Sequence, residues 1–219
     1  MKKALPVLVW GASGQAEVVT DILGQSDTYQ IKAYVDDVNI SGTPQTFNGI
    51  SVVHNDFDIR KLQKSGLNLA IIAVGNITAR VSISKRLLKL GFKFINAIDH
   101  TSIISKRAKI GINNVIKPGV IIDPMVEIGN HTYVGAGVTI AHHSQIGNFV
   151  NIAGGSNISG HVVIEDKVHI GTGTVIKDRV LIGKESIIGA GAVVVTNIPP
   201  QSVAIGVPAK PTDRKSANK

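Results

Sequence analysis

Two adjacent histidines, His142 and His143, are the side chains best suited to moving a proton in this chain. An imidazole titrates near ~6.5, so at neutral pH it can take a proton from an attacking amine or hydroxyl. The pair lies in the run Val138-Thr139-Ile140-Ala141-His142-His143-Ser144-Gln145-Ile146-Gly147. Spacing alone favours the plainer reading, two solvated turn residues. There is no cysteine, so thiolate nucleophiles and disulfides are excluded, and group transfer is expected to be direct. A second cluster is suited to holding phosphate. Gly11-Ala12-Ser13-Gly14 follows the apolar run Leu5–Trp10 and precedes a helical pattern. Glycine there allows a sharp turn and close backbone approach, and a helix N-terminus offers N–H groups to an anion. Asp36 and Asp37 follow the next apolar stretch, where an acid can hold ribose or base donors. The motif lacks the full G-x-G-x-x-G, so a tight βα turn with a solvated acidic loop is the other reading.

The elements that would position these groups fall into two halves. Residues 5–97 alternate strand and helix: strands over Leu5–Trp10, Ile31–Val35, Ile50–Val53, Leu67–Val74 and Lys93–Ile98, helices over Gln15–Leu23, Ile59–Ser65 and Ile77–Leu90. Such alternation predicts a parallel α/β sheet. From Ile98 to Val194 every sixth residue is Ile or Val. Two residues before the beat is usually a small or β-branched side chain, as from Val120 to Ala192, and one after is often Gly or Ala. A period of six is neither helical nor simple strand alternation. It predicts stacked short strands joined by tight turns, with one large aliphatic per strand pointing inward.

This repeat resembles the hexapeptide-repeat acyltransferases, whose left-handed parallel β-helix is built from triangular coils of eighteen residues. The closing Gly206-Val207-Pro208-Ala209-Lys210-Pro211 resembles that family's exit from the helix. With a small Rossmann-like domain in front, the whole resembles the sugar O- and N-acetyltransferases of the sialic-acid and bacillosamine pathways. The implied organisation is a Rossmann-like nucleotide-sugar domain at 1–97, a β-helix acetyltransferase domain at 98–208 and a polar, disordered tail within 209–219.

The resemblance also implies roles. Ser13, Gly14 and Gln15 match the loop holding a nucleotide-sugar pyrophosphate, although His is more usual than Gln at 15. Asp36 and Asp37 match an acidic pair that contacts uridine. Gly75-Asn76 and Arg80 match a further loop. His142 matches the general base. His143 stands where the family has an orienting acid, so the partner of His142 is open: His143 itself could accept a hydrogen bond, and Asp99, Asp123 or another chain are the other candidates. In eighteen-residue coils, Pro124, His142, Gly160 and Asp178 share a column, as do Met125, His143, His161 and Arg179. Gly160 is expected to leave a notch for the pantetheine arm. Asn151, in the column of Tyr133 and His169, occupies a position where the family often has a His contacting acetyl-CoA. Thr172 and Ala190 match later coenzyme A contacts. The γ-class carbonic anhydrases share the β-helix and bind zinc through histidines, including a pair five residues apart. No pair here has that spacing, and no metal is expected.

The implied activity is acetyl-CoA-dependent N-acetylation of the 4-amino group of a UDP-4-amino-4,6-dideoxy sugar in bacterial glycan or glycoprotein biosynthesis. The alternatives are O-acetylation of sialic acid or another sugar, and a non-catalytic sugar-nucleotide-binding trimer. Composition agrees. The net charge of +8 has no dense basic face with interleaved aromatics, so nucleic acid is not expected as a partner, whereas phosphate-bearing small molecules are. No apolar run is long enough for a membrane span. An intact cytoplasmic N-terminus is expected, because Leu5–Trp10 runs straight into a loop, unlike a signal peptide. A homotrimer follows from the resemblance.

Overall fold

A computed structural model describes residues 4–38 and 45–213. The charged opening at 1–3 and the end of the tail at 214–219 lie outside the described residues. The chain divides into two compact units, 1–97 and 98–219.

The first unit contains β1 (Leu5–Trp10), α1 (Gly14–Gly24), β2 (Tyr29–Val35), β3 (Thr46–Phe47), β4 (Ile50–Val53), α2 (Asp56–Lys64), β5 (Leu69–Ile72), α3 (Ile77–Lys89) and β6 (Lys93–Phe94). One sheet runs β3-β4-β2-β1-β5-β6. All of its pairings are parallel except β3 with β4. β1 is central, so Val7, Leu8, Val9 and Trp10 are all buried. That is why it reads as a continuous apolar run and not an alternating one. Asn55 and Asn76 start α2 and α3 by accepting the backbone N–H of Asp58 and Ala79, the usual use of an amide at a helix N-cap. The Asn55 cap moves the start of α2 ahead of the expected Ile59. The hairpin of β3 and β4 was not anticipated; its sequence signal is Asn48-Gly49, both at positive φ, as a two-residue hairpin turn requires.

The second unit has a two-residue strand every six residues, from β7 (Ala97–Ile98) to β23 (Val193–Val194). Every third strand pairs in parallel, eighteen residues apart, as in Ile122↔Ile140↔Ile158↔Ile176↔Val194. Three sheets result, forming the faces of a left-handed parallel β-helix. One begins at β7, the second at Ile103–Ile104 and the third at Lys109–Ile110. The beats from Ile116 to Val194 are buried, as are the positions two before them from Val120 to Ala192. Polar members of that inner row are satisfied across coils: Thr132, Ser144 and Ser156 donate to the carbonyls of Gly147, Ser159 and Gly171. Ile98 departs from the expectation and is 38% exposed, because the first coil has a neighbouring coil on one side only.

The corners carry a second period. The residue three past the beat has positive φ at every step from Asn113 to Gly191. Left-handed backbone turns the chain sharply between faces, and L-residues other than Gly, Asn and Asp seldom adopt it. Here the coil enforces it even on Phe149, Met125, His143 and His161. After β23 the chain continues as β24 (Ser202–Gly206) and β25 (Ala209–Asp213), an antiparallel pair added to the first face. The expected polar tail at 209–219 is therefore a strand through Asp213.

Candidate active site

The second and third faces meet at the corner that carries His142 and His143. His142 lies two residues past Ile140 and His143 three past, at φ +60°. The left-handed turn at His143 brings the two rings onto one side. Their Nδ1 atoms are hydrogen-bonded at 3.2 Å, with rings nearly perpendicular and 5.4 Å apart. One coil further, His161 takes the same corner position at φ +58°. Its ring stacks on His143 at 5.0 Å and meets His142 edge-on at 5.2 Å. The backbone is tied across coils by the His161 N–H to the His142 carbonyl at 3.0 Å. His142 and His143 are exposed and His161 is half-buried. Removal from water, then the neighbouring Arg179, His143 and His142, hold the pKa of His161 below the ordinary histidine value.

One candidate partner of His142 is brought to it, and one expectation changes. The partner of His142 is His143; the Asp99 carboxylate is buried and accepts from the backbone N–H and hydroxyl of Thr101. Gly160 leaves no vacant notch, because the His142 ring lies over it. A Cβ added at Gly160 would sit 2.8 Å from Cε1 and 3.1 Å from Nε2 of His142. His161 was placed in this column by the eighteen-residue spacing, yet its contact with both rings had no sequence signal.

The structure does not gather the remaining acyl-donor candidates at this corner. Asn151 lies on the first face between Tyr133 and His169 in register. Thr172 and Ala190 are exposed at the corner joining the first and second faces, where the Thr172 carbonyl accepts from Gly191 N–H at 2.8 Å. Within one chain the second face therefore separates Thr172 and Ala190 from the histidines. A groove of about 700 Å³ on the third face is lined by residues such as Lys109, Glu127, Gln145, Glu165 and Lys184, and by none of the candidates.

In the first unit the candidate loops converge. The sheet order reverses at β1, with β2 on one side and β5 on the other, and a crevice at such a switch point is where open parallel sheets hold ligands. The loop after β1 ends at Ser13; Gly14 and Gln15 open α1, and the loop after β5 carries Gly75. A Cβ on Gly75 would lie 3.8 Å from Gln15 Cγ, so this loop and the start of α1 touch. Gly11, at φ +127°, passes so close to Ala73 that a Cβ would lie 2.6 Å from its carbonyl oxygen. Ser13 makes no side-chain cap bond to α1, which leaves first-turn N–H groups available to an anion. The Gln15 Oε1 is buried with no partner among the described residues.

The acidic pair splits. Asp36 accepts from Val38 N–H at 3.1 Å, and its carbonyl meets His54 Nδ1 at 2.6 Å. Asp37 is paired with Arg86 of α3, which also holds Asp56 at 2.8 Å and lies over the Trp10 ring at 4.7 Å. Burial opposes the charge on Arg86, but the two carboxylates outweigh it and raise its pKa. Arg86 is a residue that sequence reasoning missed, since it lies 49 positions from Asp37. Arg80, matched to a ligand loop, is instead fully buried and donates to the carbonyls of Val74 and Gly75, holding the loop that bears Gly75.

Comparison with known proteins shows what the chain is similar to. Residues 6–87 match the PglD N-terminal domain, and residues 161–196 match the bacterial transferase hexapeptide (six repeats). Three solved structures are similar over nearly the whole chain. PerB from Caulobacter crescentus, in complex with CoA and GDP-perosamine, is 28% identical with a TM-score of 0.87 over 94% of this chain and 97% of that one. The acetyltransferase domain of PglB from Neisseria gonorrhoeae is 29% identical with a TM-score of 0.84 over 94% and 99%. WeeI from Acinetobacter baumannii is 28% identical with a TM-score of 0.82 over 95% and 100%. The chain combines a match to the PglD N-terminal domain with transferase hexapeptide repeats, and its structural neighbours are sugar acetyltransferases. It is an acetyltransferase, and no protein among curated sequences matches it. No helix among the described residues of this acetyltransferase is long and apolar enough to cross a membrane.

Proposed function

We propose that the chain transfers the acetyl group of acetyl-CoA to the 4-amino group of a UDP-linked 4-amino-4,6-dideoxy sugar in bacterial glycan or glycoprotein biosynthesis, with His142 as general base. The observation that carries this reading is the Nδ1–Nδ1 hydrogen bond between His142 and His143. With His142 Nδ1–H donating, the lone pair is on Nε2, the nitrogen that meets the substrate. The sugar amine attacks the thioester carbon, Nε2 takes the amine proton, and the coenzyme A thiolate leaves and is protonated. His143 takes over the orienting role of an acid, and stabilises the imidazolium by hydrogen bonding without a negative charge.

The first unit holds the nucleotide. The pyrophosphate sits on the N-terminus of α1 at Ser13, Gly14 and Gln15, with Gly75 opposite. Asp36 and the Arg86-bound Asp37 flank the base and ribose. The acyl donor runs past Asn151, Thr172 and Ala190, and past the His142 ring that covers Gly160. Because Thr172 and Ala190 lie at a different corner from His142 in one chain, the working site combines corners of adjacent chains in a homotrimer. Use of acetyl-CoA and a nucleotide sugar assigns the reaction to the cytoplasm.

Related structures support the reading: PerB is recorded with CoA and GDP-perosamine, including a mutant with one histidine replaced by asparagine, and the PglB domain with acetyl coenzyme A. The PerB complex favours one second reading, a GDP-linked 4-amino sugar. The test is release of coenzyme A thiol from acetyl-CoA with the UDP- and GDP-linked amino sugars, for the unaltered chain and His142→Ala. Release with the UDP sugar that falls ~10²–10⁴-fold in the variant supports both substrate and base. Release only with the GDP sugar transfers the assignment to that nucleotide. Release with neither, but with sialic acid, replaces N- by O-acetylation. Release unchanged in the variant removes His142 from the mechanism.

A further inference from the structure

Three imidazoles meet at one corner of the β-helix, and nothing in direct acetyl transfer needs the third. Donor nitrogens of His142, His143 and His161 all lie within 4.8 Å of one another. We propose that these three histidines form a binding site for a divalent transition metal ion such as Zn²⁺, and that metal bound there silences acetyl transfer. The silencing rests on the reading of His142 as the base; the binding site does not.

The donor set suits such an ion. Neutral imidazole is a preferred ligand of Zn²⁺, Ni²⁺ and Cu²⁺, whereas Mg²⁺ and Ca²⁺ prefer oxygen. Tetrahedral ligation at ~2.0–2.1 Å places donor nitrogens about 3.3 Å apart, and the Nδ1 atoms of His142 and His143 are already at 3.2 Å. His161 must bring one nitrogen closer by tilting a ring stacked parallel to His143, at 12°. Its Cα is held for this by the left-handed turn and by its N–H bond to the His142 carbonyl. Three protein ligands leave a fourth position for water.

The surrounding charges do not forbid a cation. Arg179 follows His161 in the column, and its Nε lies 3.7 Å from the Asp178 carboxylate, which offsets it. The ion takes the place of the proton shared between the two Nδ1 atoms, and that proton passes through solvent to His142 Nε2, with no net release. A neutral imidazole bound to metal through Nδ1 carries its one proton on Nε2. His142 in that state has no lone pair for the sugar amine.

The experiment titrates the tag-free chain with Co²⁺ and follows its visible absorption, then measures Zn²⁺ inhibition of acetyl transfer. The variant is His161→Asn, because Asn tolerates the positive φ; circular dichroism checks its fold. One saturable, chelator-reversible equivalent per chain is expected, weakened at least about tenfold in the variant, as loss of a supporting group already costs 10–100-fold in other sites. The Zn²⁺ inhibition constant, taken relative to each protein's uninhibited rate, is expected to rise by the same factor. No saturable band, or equal affinity in His161→Asn, overturns the site. Binding that is lost in the variant while Zn²⁺ leaves the unaltered rate intact overturns the silencing. If no offered sugar is acetylated, the Co²⁺ titration still decides the site, so failure of the functional reading is seen separately.

Discussion

The Nδ1 atoms of His142 and His143 lie 3.2 Å apart although the residues are neighbours in sequence. Successive side chains of an extended strand point to opposite sides, so this contact exists only because His143 sits at φ +60°. The corner geometry of the coil, repeated every six residues, is what allows a dyad of adjacent residues. It also gives the dyad a partner eighteen residues on, in His161.

The dyad predicts that His143 acts through His142. His143→Asn, which keeps a residue at ease with positive φ, is expected to lower kcat at least tenfold but less than the ~10²–10⁴ of losing the base, with KM for the nucleotide sugar unchanged. His143→Glu is expected to retain activity and to move the acid limb of the kcat profile upward, because a carboxylate stabilises the imidazolium. Steady-state kinetics across pH read both. An unchanged pH profile in His143→Glu would show that the hydrogen bond does not tune the base.

Gly160 gives a second prediction. Its missing Cβ makes room for the His142 ring, which an added methyl would meet at 2.8 Å. Gly160→Ala is expected to push the imidazole aside while leaving the β-helix core intact. A displacement on the order of 1 Å can cost about 10²-fold, so kcat should fall by tenfold or more with little change in Tm. A fall in Tm matching the loss of activity would instead make Gly160 a folding residue.

The β-helix was legible because its core obeys one rule from Val120 on: a large aliphatic on the beat and a small or β-branched residue two before it. The α/β half was legible from its apolar runs, while its hairpin was lost because Thr46–Phe47 is too short to show a pattern. The sites were less legible. The eighteen-residue coil placed His142 and Gly160 in one column and His161 in the next, yet did not show that the His142 ring fills the space over Gly160. Asp37 was readable as an acid after a strand, but Arg86 approaches it from α3, and no local spacing encodes that contact. Asn151, Thr172 and Ala190 were singled out by resemblance alone, and in one chain they remain apart from the histidines.

Arg86 carries a third prediction. Its guanidinium holds Asp37 and Asp56 and covers Trp10. Arg86→Ala is expected to destabilise the first unit by about 1–3 kcal/mol, since hydrogen bonds to charged groups are worth roughly that much. It should also raise KM for the nucleotide sugar, because Asp37 loses the group that aims it. Arg86→Lys keeps the charge but not the planar fork, so it is expected to recover less than half of the loss. Thermal denaturation and substrate titration measure the two effects, and a normal KM in Arg86→Ala would detach Asp37 from nucleotide binding.

His169 supplies a pH test of stability. Its side chain stacks in register with Asn151 on the first face, and burial lowers its pKa from 6.5. A group that is harder to protonate when folded takes up its proton more readily in the unfolded chain. Stability rises with pH wherever the unfolded state binds more protons. The contribution of His169 is therefore fully present above ~6.5 and is lost as pH falls from there toward the folded value. His169→Asn places at that site the residue already found one coil earlier, and it does not titrate. The variant is expected to lose less Tm between neutral and mildly acidic pH than the unaltered chain, with the two curves converging in slope above neutrality. Parallel curves throughout would show that His169 is protonated equally in both states, and that burial on this face carries no charge penalty.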